Sequence, residues 1–220
     1  MPRIWFIELM RDNPPMLVSW VLWVILSICL HELGHGVAAI WQGDDTPIKR
    51  NRMTLNPLVH MGTMSLIAFA FIGIAWGQMP VNPSRFRWGR IGDAVVSAAG
   101  PAVNVILALI SLTAFAIIKN HVIGTEPPSN FVDNLGTFFM TGGMLNIALA
   151  MLNLIPVPPL DGSHILGALS QTADRLYRSE QFQRMGIIIF LLVLYFLSGE
   201  VFGLALNVTG KIVDLLVLVV

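Results

Sequence analysis

The chain has 220 residues, 55% hydrophobic and 12% charged, with a mean hydropathy of +0.72. A soluble domain carries about 25% charged residues, so this composition excludes an ordinary water-soluble core and implies a protein that crosses a membrane several times. The formal net charge is zero, which removes any bulk electrostatic case for nucleic-acid binding, and the single cysteine, Cys29, excludes an internal disulfide framework and a cysteine-rich metal site.

The opening residues, MPRIWFIELMRDNPP, are mixed in character. The apolar run after them is long for the core of a cleavable signal, so residues 16–40 read as an uncleaved transmembrane helix. At 1.5 Å per residue it is about 37 Å long, enough to span a bilayer with some tilt. A polar stretch follows over 41–60, with Lys49, Arg50 and Arg52. Residues 61–76 are apolar, and 77–90 carry Pro80, Pro83, Arg85, Arg87 and Arg90. Residues 91–118 and 131–155 are long apolar runs, joined by a short loop over 119–130 with Pro127 and Pro128. After a polar stretch over 156–184, two more apolar runs cover 185–197 and 201–220.

Basic residues mark the cytoplasmic side of a membrane protein. The segments around 41–60, 77–90 and 170–184 hold nine of the thirteen Lys and Arg. If all three lie on that side, residues 61–76 have both flanks there. Sixteen residues are also few for a span. The pattern predicts a re-entrant element, a helix going in and the extended stretch QMPVNPSRF coming out; an ordinary span is the alternative. Non-helical backbone at membrane depth needs protein or water around it, so this element should lie against a site. The expected fold is an all-α polytopic membrane protein. It has a core of three transmembrane helices, the re-entrant element and two additional C-terminal apolar helices. The whole chain, 1–220, reads as one membrane-embedded domain, with a core at about 16–170 and C-terminal helices at about 184–220.

The first apolar run ends in ICLHELGH, which sets three titratable groups inside a membrane-type helix. Such groups are costly there and are usually functional. His31 and His35 are four residues apart, so both imidazoles lie on one helix face and can hold one metal ion. Glu32, beside them, can serve as general base toward a water at that metal. Cys29 lies about 200° around the helix from His31 and is expected to pack. A catalytic zinc typically keeps three protein ligands. The candidate for the third is Asp161, in NLIPVPPLDG, where a transmembrane helix ends at prolines; a simple helix N-cap is the competing role. With 131–155 running back to the side where 16–40 ends, Asp161 arrives at the depth of His35. Two His and one carboxylate are a common catalytic zinc set, so one zinc ion per chain is expected.

Three motifs in this order resemble the site-2 protease family of intramembrane metalloproteases: HELGH, then Ala99-Gly100-Pro101-Ala102-Val103-Asn104, then NLIPVPPLDG. The stretches Thr54-Leu55-Asn56-Pro57 and Pro80-Val81-Asn82-Pro83 also look like its compact bacterial and archaeal branch. The resemblance covers roughly residues 16–170. It implies zinc bound by His31, His35 and Asp161, with Glu32 as base. It also implies that Asn153 positions the substrate or stabilises the oxyanion, with Asn104 in a similar supporting role; helix–helix hydrogen bonding is the bland alternative for each. Ser163 departs from the family's usual LDGG, a change expected to affect only a turn. No PDZ or CBS module is expected within these 220 residues. His60 and His164 are expected to be local polar residues rather than ligands.

The implied activity is hydrolysis of a peptide bond in or near the transmembrane segment of a membrane-protein substrate. The implied setting is the inner or plasma membrane, multi-pass, with the site near the cytoplasmic side. The partners are then the lipid bilayer and a transmembrane substrate, with no nucleic acid. The rival readings are a metal-binding membrane transporter and an inactive protease-like protein.

Overall fold

The computed structural model describes residues 5–121 and 130–220, and the expected loop over 119–130 lies mostly outside them. Among the described residues the regular structure is helical, with no strand. A short helix, α1 (Trp5–Asp12), precedes the first long one, α2 (Pro14–Trp41). The start of α2 is dictated locally: Asn13 accepts the Met16 N–H at 3.1 Å, and Pro14 and Pro15 occupy first-turn positions that need no N–H partner. Two one-turn helices, α3 (Thr46–Lys49) and α4 (Pro57–His60), lead into α5 (Gly62–Ile72). The long α6 (Gly89–His121) and α7 (Asn130–Asn153) follow, then the short α8 (Asp161–Leu169) and α9 (Gln171–Arg178), and finally α10 (Glu180–Val219). Four helices, Pro14–Trp41, Gly89–Asn120, Asn130–Asn153 and Ile188–Val219, are long and apolar enough to cross a membrane.

The re-entrant expectation agrees with the geometry of α5 and its return. Eleven residues make about 16 Å of helix, roughly half of a bilayer's hydrocarbon thickness. Gly73 then turns the chain in a left-handed conformation, φ 76°, that glycine adopts without penalty. The chain comes back in extended form beside α5. Ser65 Oγ donates to Trp76 O at 2.7 Å and accepts the Trp76 N–H at 2.9 Å. Gln78 N–H donates to His60 O at 3.0 Å, so the two ends of the element meet.

The C-terminal expectation needs correction. The runs 185–197 and 201–220 are not two helices but parts of one 40-residue helix, α10. The apparent break at Ser198-Gly199-Glu200 does not interrupt it. A glycine inside a helix costs only about 1 kcal/mol against alanine. In a membrane, opening the helix would leave several backbone groups without partners.

Close packing of α2, α6 and α7 rests on small residues. A methyl group built on Gly34 of α2 would stand 3.0 Å from the backbone oxygen of Ala99 in α6. Gly142 of α7 takes the indole of Trp23 against its Cα, and Gly143 takes Leu112. The Trp23 indole N–H donates to Phe138 O at 2.8 Å, so its polar edge is satisfied inside the bundle. Such small-residue contacts let helices approach where no hydrophobic effect drives them together. Helix α10 packs on α6 and α7 mainly through Ala205, Thr209 and Val213, and is otherwise largely exposed.

One end of the bundle carries a polar cap built on two fully buried side chains, Gln42 and Asp44. Gln42 accepts the Arg87 N–H on its backbone oxygen at 2.8 Å and the Trp88 N–H on Oε1 at 3.2 Å. Asp44 Oδ2 accepts the Asn82 N–H at 2.6 Å, and its Oδ1 accepts from Thr46. The returning segment is thus fastened to the end of α2. Asp45 adds ion pairs with Lys49 and Arg85, and the Lys49 hydrogen bond with the Arg85 charge holds its carboxyl below the ordinary range.

Two glycines separate packing from propensity. Gly142→Ala should lower the unfolding temperature in detergent, a loss of about 1–3 kcal/mol from overpacking against Trp23. Gly199→Ala meets nothing within 4 Å and should raise it, by about 0.5–1 kcal/mol of helix propensity.

Candidate metal centre

His31 and His35 lie in α2, facing α6, and both are buried. Each ring is held by its Nδ1. His35 Nδ1 is 2.7 Å from the backbone oxygen of Val96, and His31 Nδ1 is 2.6 Å from Asn104 Oδ1. A carbonyl oxygen only accepts, so each Nδ1 is the donor, and each Nε2 is the nitrogen left to offer a lone pair to a metal. These two lone pairs converge, with Nε2 to Nε2 at 3.0 Å.

Asp161 completes the group. It is the first residue of α8, and the cap position is Leu160, without a side-chain cap bond, so helix capping is not what holds this carboxylate. Asp161 Oδ2 is 3.1 Å from His31 Nε2, and Oδ1 is 3.3 Å from His35 Nε2. Ligands at 2.0–2.1 Å from a tetrahedral zinc are about 3.3 Å from one another. The spacing therefore fits such an ion, and so does the chemistry of two neutral imidazoles and one carboxylate. The backbone leaves room for it as well. A methyl group on Gly100 would stand 2.5 Å from both Nε2 atoms, in the space an ion needs. Among the described residues, His31, His35 and Asp161 are the one group of potential ligands close enough to share a metal.

The loop that delivers Asp161 is tightly folded. Gly162 packs its Cα on the backbone of Leu154 and Ile155, where no side chain fits. Ser163 is buried, and its hydroxyl donates to Leu160 O at 2.7 Å, which agrees with a change confined to a turn.

Glu32 is buried one residue after His31, and no hydrogen bond holds its carboxylate among the described residues. The returning strand passes directly over it: a methyl group on Gly77 would stand 2.5 Å from Glu32 Oε1. Asn104 is fully buried and is spent inside the fold, with Oδ1 on His31 and Nδ2 donating to Asn146 Oδ1 at 2.8 Å. Both ends of its amide are thus engaged by side chains of neighbouring helices. Asn153, the last residue of α7, is half-buried and gives one N–H to Leu149 O at 3.0 Å. His60 is buried with Nε2 on Thr54 O at 2.5 Å, His164 is exposed, and neither belongs to the metal group. Cys29 is buried, as expected of a packing residue.

Three participants were not singled out from sequence. Val96 acts through its backbone oxygen, which no sequence pattern announces. Gly77 matters by position in a return strand. Asn146 did carry a signal, since a polar side chain inside an apolar span asks for a partner.

The centre predicts metal content. Purified protein should hold one zinc per chain by elemental analysis. Gly100→Ala should weaken binding at least about tenfold, and His60→Asn should leave it unchanged.

Residues 19–197 match Peptidase family M50. A protein of Bacillus subtilis (strain 168) named "Putative zinc metalloprotease YwhC" is 37% identical over 174 residues, covering 79% of this chain and 78% of that protein. A Mycobacterium tuberculosis (strain ATCC 25618 / H37Rv) protein named "Putative zinc metalloprotease Rip2" is 31% identical over 191 residues, covering 81% of this chain and 68% of that one. No solved structure matches the chain. The matched span contains every residue of the metal group, and on that basis the chain belongs to peptidase family M50, the site-2 protease family.

Proposed function

We propose that this protein hydrolyses a peptide bond in or near the transmembrane segment of membrane-protein substrates, with one zinc held by His31, His35 and Asp161 and with Glu32 as general base. As a member of its family it is a zinc metallopeptidase, and its four apolar helices make it a multi-pass membrane protein. One observation carries the finer reading: His31, Glu32 and His35 are buried together in an apolar helix, with Asp161 closing on them, and among the described residues no hydrogen bond ties up the Glu32 carboxylate. The depth supports it too. His35 lies six residues before the end of α2, about 9 Å below the polar cap. That cap gathers the basic segments around 41–60 and 77–90, and the positive-inside tendency puts it at the cytoplasmic face of the plasma membrane. The whole chain is read as one catalytic unit, with a core of about 16–170 and α10 as an added anchor.

Zinc, when bound, lowers the pKa of water and polarises a carbonyl oxygen. Glu32 takes the proton of that water and passes it to the leaving amine. Asn153 has used one N–H on Leu149 O, and its second N–H suits the oxyanion of the reacting carbonyl. A substrate helix has its backbone groups bonded internally, so it must unwind to expose a scissile bond. The extended return over 73–82 runs beside Glu32, and its backbone bonds among the described residues gather at a few points: Gly73 to Phe69, Trp76 to Ser65, Gln78 to His60, and Asn82 to Asp44 and Arg85, so that none is seen at Ile74, Ala75, Gly77 or Met79. A backbone edge beside the base is a means of holding an unwound strand by main-chain pairing. A transporter would need polar groups continuing across the bilayer, and the metal group is a single cluster at one depth.

The test is cleavage of a panel of single-span membrane proteins by purified protein in detergent, comparing wild type, Glu32→Gln and a chelated sample. Glu32→Gln should cut the rate by about 100- to 10,000-fold while keeping one zinc per chain. Chelation should stop cleavage, and zinc should restore it. Cleavage that survives in Glu32→Gln or after chelation would sink the assignment. Zinc flux in vesicles, unchanged by Glu32→Gln, would favour a transporter instead.

A further inference from the structure

Every span of a membrane protein hides its polar side chains for a reason, and Asn146 is fully buried in the middle of α7. It does not touch the metal group. Its Nδ2 donates to the backbone oxygen of Gly142, one turn earlier in the same helix, at 2.9 Å. Its Oδ1 accepts from Asn104 Nδ2 at 2.8 Å, and Asn104 Oδ1 lies 2.6 Å from His31 Nδ1. The three bonds form one line from α7 through α6 to α2.

The direction of that line is decided at its far end. An amide side chain has a donor end and an acceptor end, and turning it over exchanges them. Turning Asn146 over would set its oxygen against the Gly142 oxygen, two acceptors face to face, so Nδ2 must point there. Asn146 then offers its oxygen to Asn104, which must answer with Nδ2. Asn104 in turn offers its oxygen to His31, which must answer with a protonated Nδ1. The Nε2 lone pair follows. His35 has its tautomer set by a backbone oxygen directly, through Val96; the Nδ1 partner of His31 is a side-chain amide, which can turn over. Gly142 O itself is well anchored, because the Trp23 ring packs on the Gly142 Cα.

We infer that Asn146 is a positioning residue for the metal centre: through Asn104 it fixes the His31 tautomer that exposes Nε2 to the metal. The inference rests on the metal reading above and adds a residue outside the ligands. Groups behind a metal-ligating histidine typically change metal affinity by about 10- to 100-fold when lost. Asn146 acts one step further back than Asn104, and only through it.

The experiment measures zinc affinity of the purified full-length protein in detergent by competition with a chromophoric chelator. The proteins compared are wild type, Asn146→Leu, Asn146→Asp, Asn104→Leu and the double variant Asn104→Leu/Asn146→Leu, with His31→Ala as the reference for a lost ligand. Asn146→Leu should weaken zinc binding about tenfold. Asn146→Asp should restore it, since either protonation state of Asp keeps an oxygen for Asn104 Nδ2, and the protonated form also donates to Gly142 O. The double variant should bind zinc no more weakly than Asn104→Leu alone, because residues acting through one another do not add.

Wild-type affinity in Asn146→Leu would overturn the inference. So would losses that multiply in the double variant, or an Asp variant as weak as the Leu variant, because mere packing between α6 and α7 predicts those results. If Asn146→Leu does not fold, the Asp variant decides: wild-type affinity supports the relay and a clear loss refutes it. A wild type that binds zinc no better than His31→Ala would instead refute the metal reading itself, a different result from any of these.

Discussion

His31 Nε2 and His35 Nε2 meet at 3.0 Å, and lone pairs on two neutral imidazoles at that distance repel each other unless a cation lies between them. Much of the bundle's local structure is organised around that unfavourable contact. The histidines cannot turn away, because Val96 O and Asn104 hold their other nitrogens. The backbone cannot fill the gap, because position 100 has no side chain. Asp161 adds a negative charge from a third direction, so the pocket as a whole is a hole shaped for positive charge. In water such a set of groups would be relaxed by solvent. Within a buried, low-dielectric surround an unpaired polar group is costly, so the set favours a bound cation.

The same economy of polar groups runs through the rest of the molecule. The extended return from α5 would be impossible in lipid alone. It is tolerable here because Ser65, His60 and Asp44 meet its backbone at three points and α2 covers one side. Asp44 and Gln42 are both fully buried, and both are tied to backbone N–H groups of the returning chain. The cap is therefore a piece of soluble-type architecture set on top of a membrane bundle. It fixes the extended segment that passes over Glu32.

How much of this was readable from the amino-acid order depends on what kind of group carries each feature. HELGH names its own geometry, because helical periodicity puts His31 and His35 on one face. Asp161 was legible because an acid directly after NLIPVPPL has few structural reasons to be there. The re-entrant element followed from two basic flanks and a run too short to span. The gap between the two C-terminal apolar runs is a feature of a different kind. Ser198-Gly199-Glu200 looks like a stop in water, but a helix in lipid has no solvent to take over its hydrogen bonds. Asn104 is marked by its motif, but its contacts with His31 and Asn146 on either side lie beyond what the motif tells. Val96 O could not be foreseen at all, since every residue has a backbone oxygen.

The order of the ligands along the chain bears on how the protein is made. About 125 residues separate His35 from Asp161. At a synthesis rate of about 5–20 residues per second, the histidines precede the carboxylate by roughly 6–25 s. Two further spans, α6 and α7, must enter the bilayer in that interval, and α6 brings Val96, Gly100 and Asn104 with it. A nascent α2 thus carries two histidines and a glutamate into the membrane with none of their partners. The centre forms only when the third long helix has arrived and α8 has docked behind it. Chain order alone therefore leaves a half-inserted molecule with His31, Glu32 and His35 but without the carboxylate that completes the group.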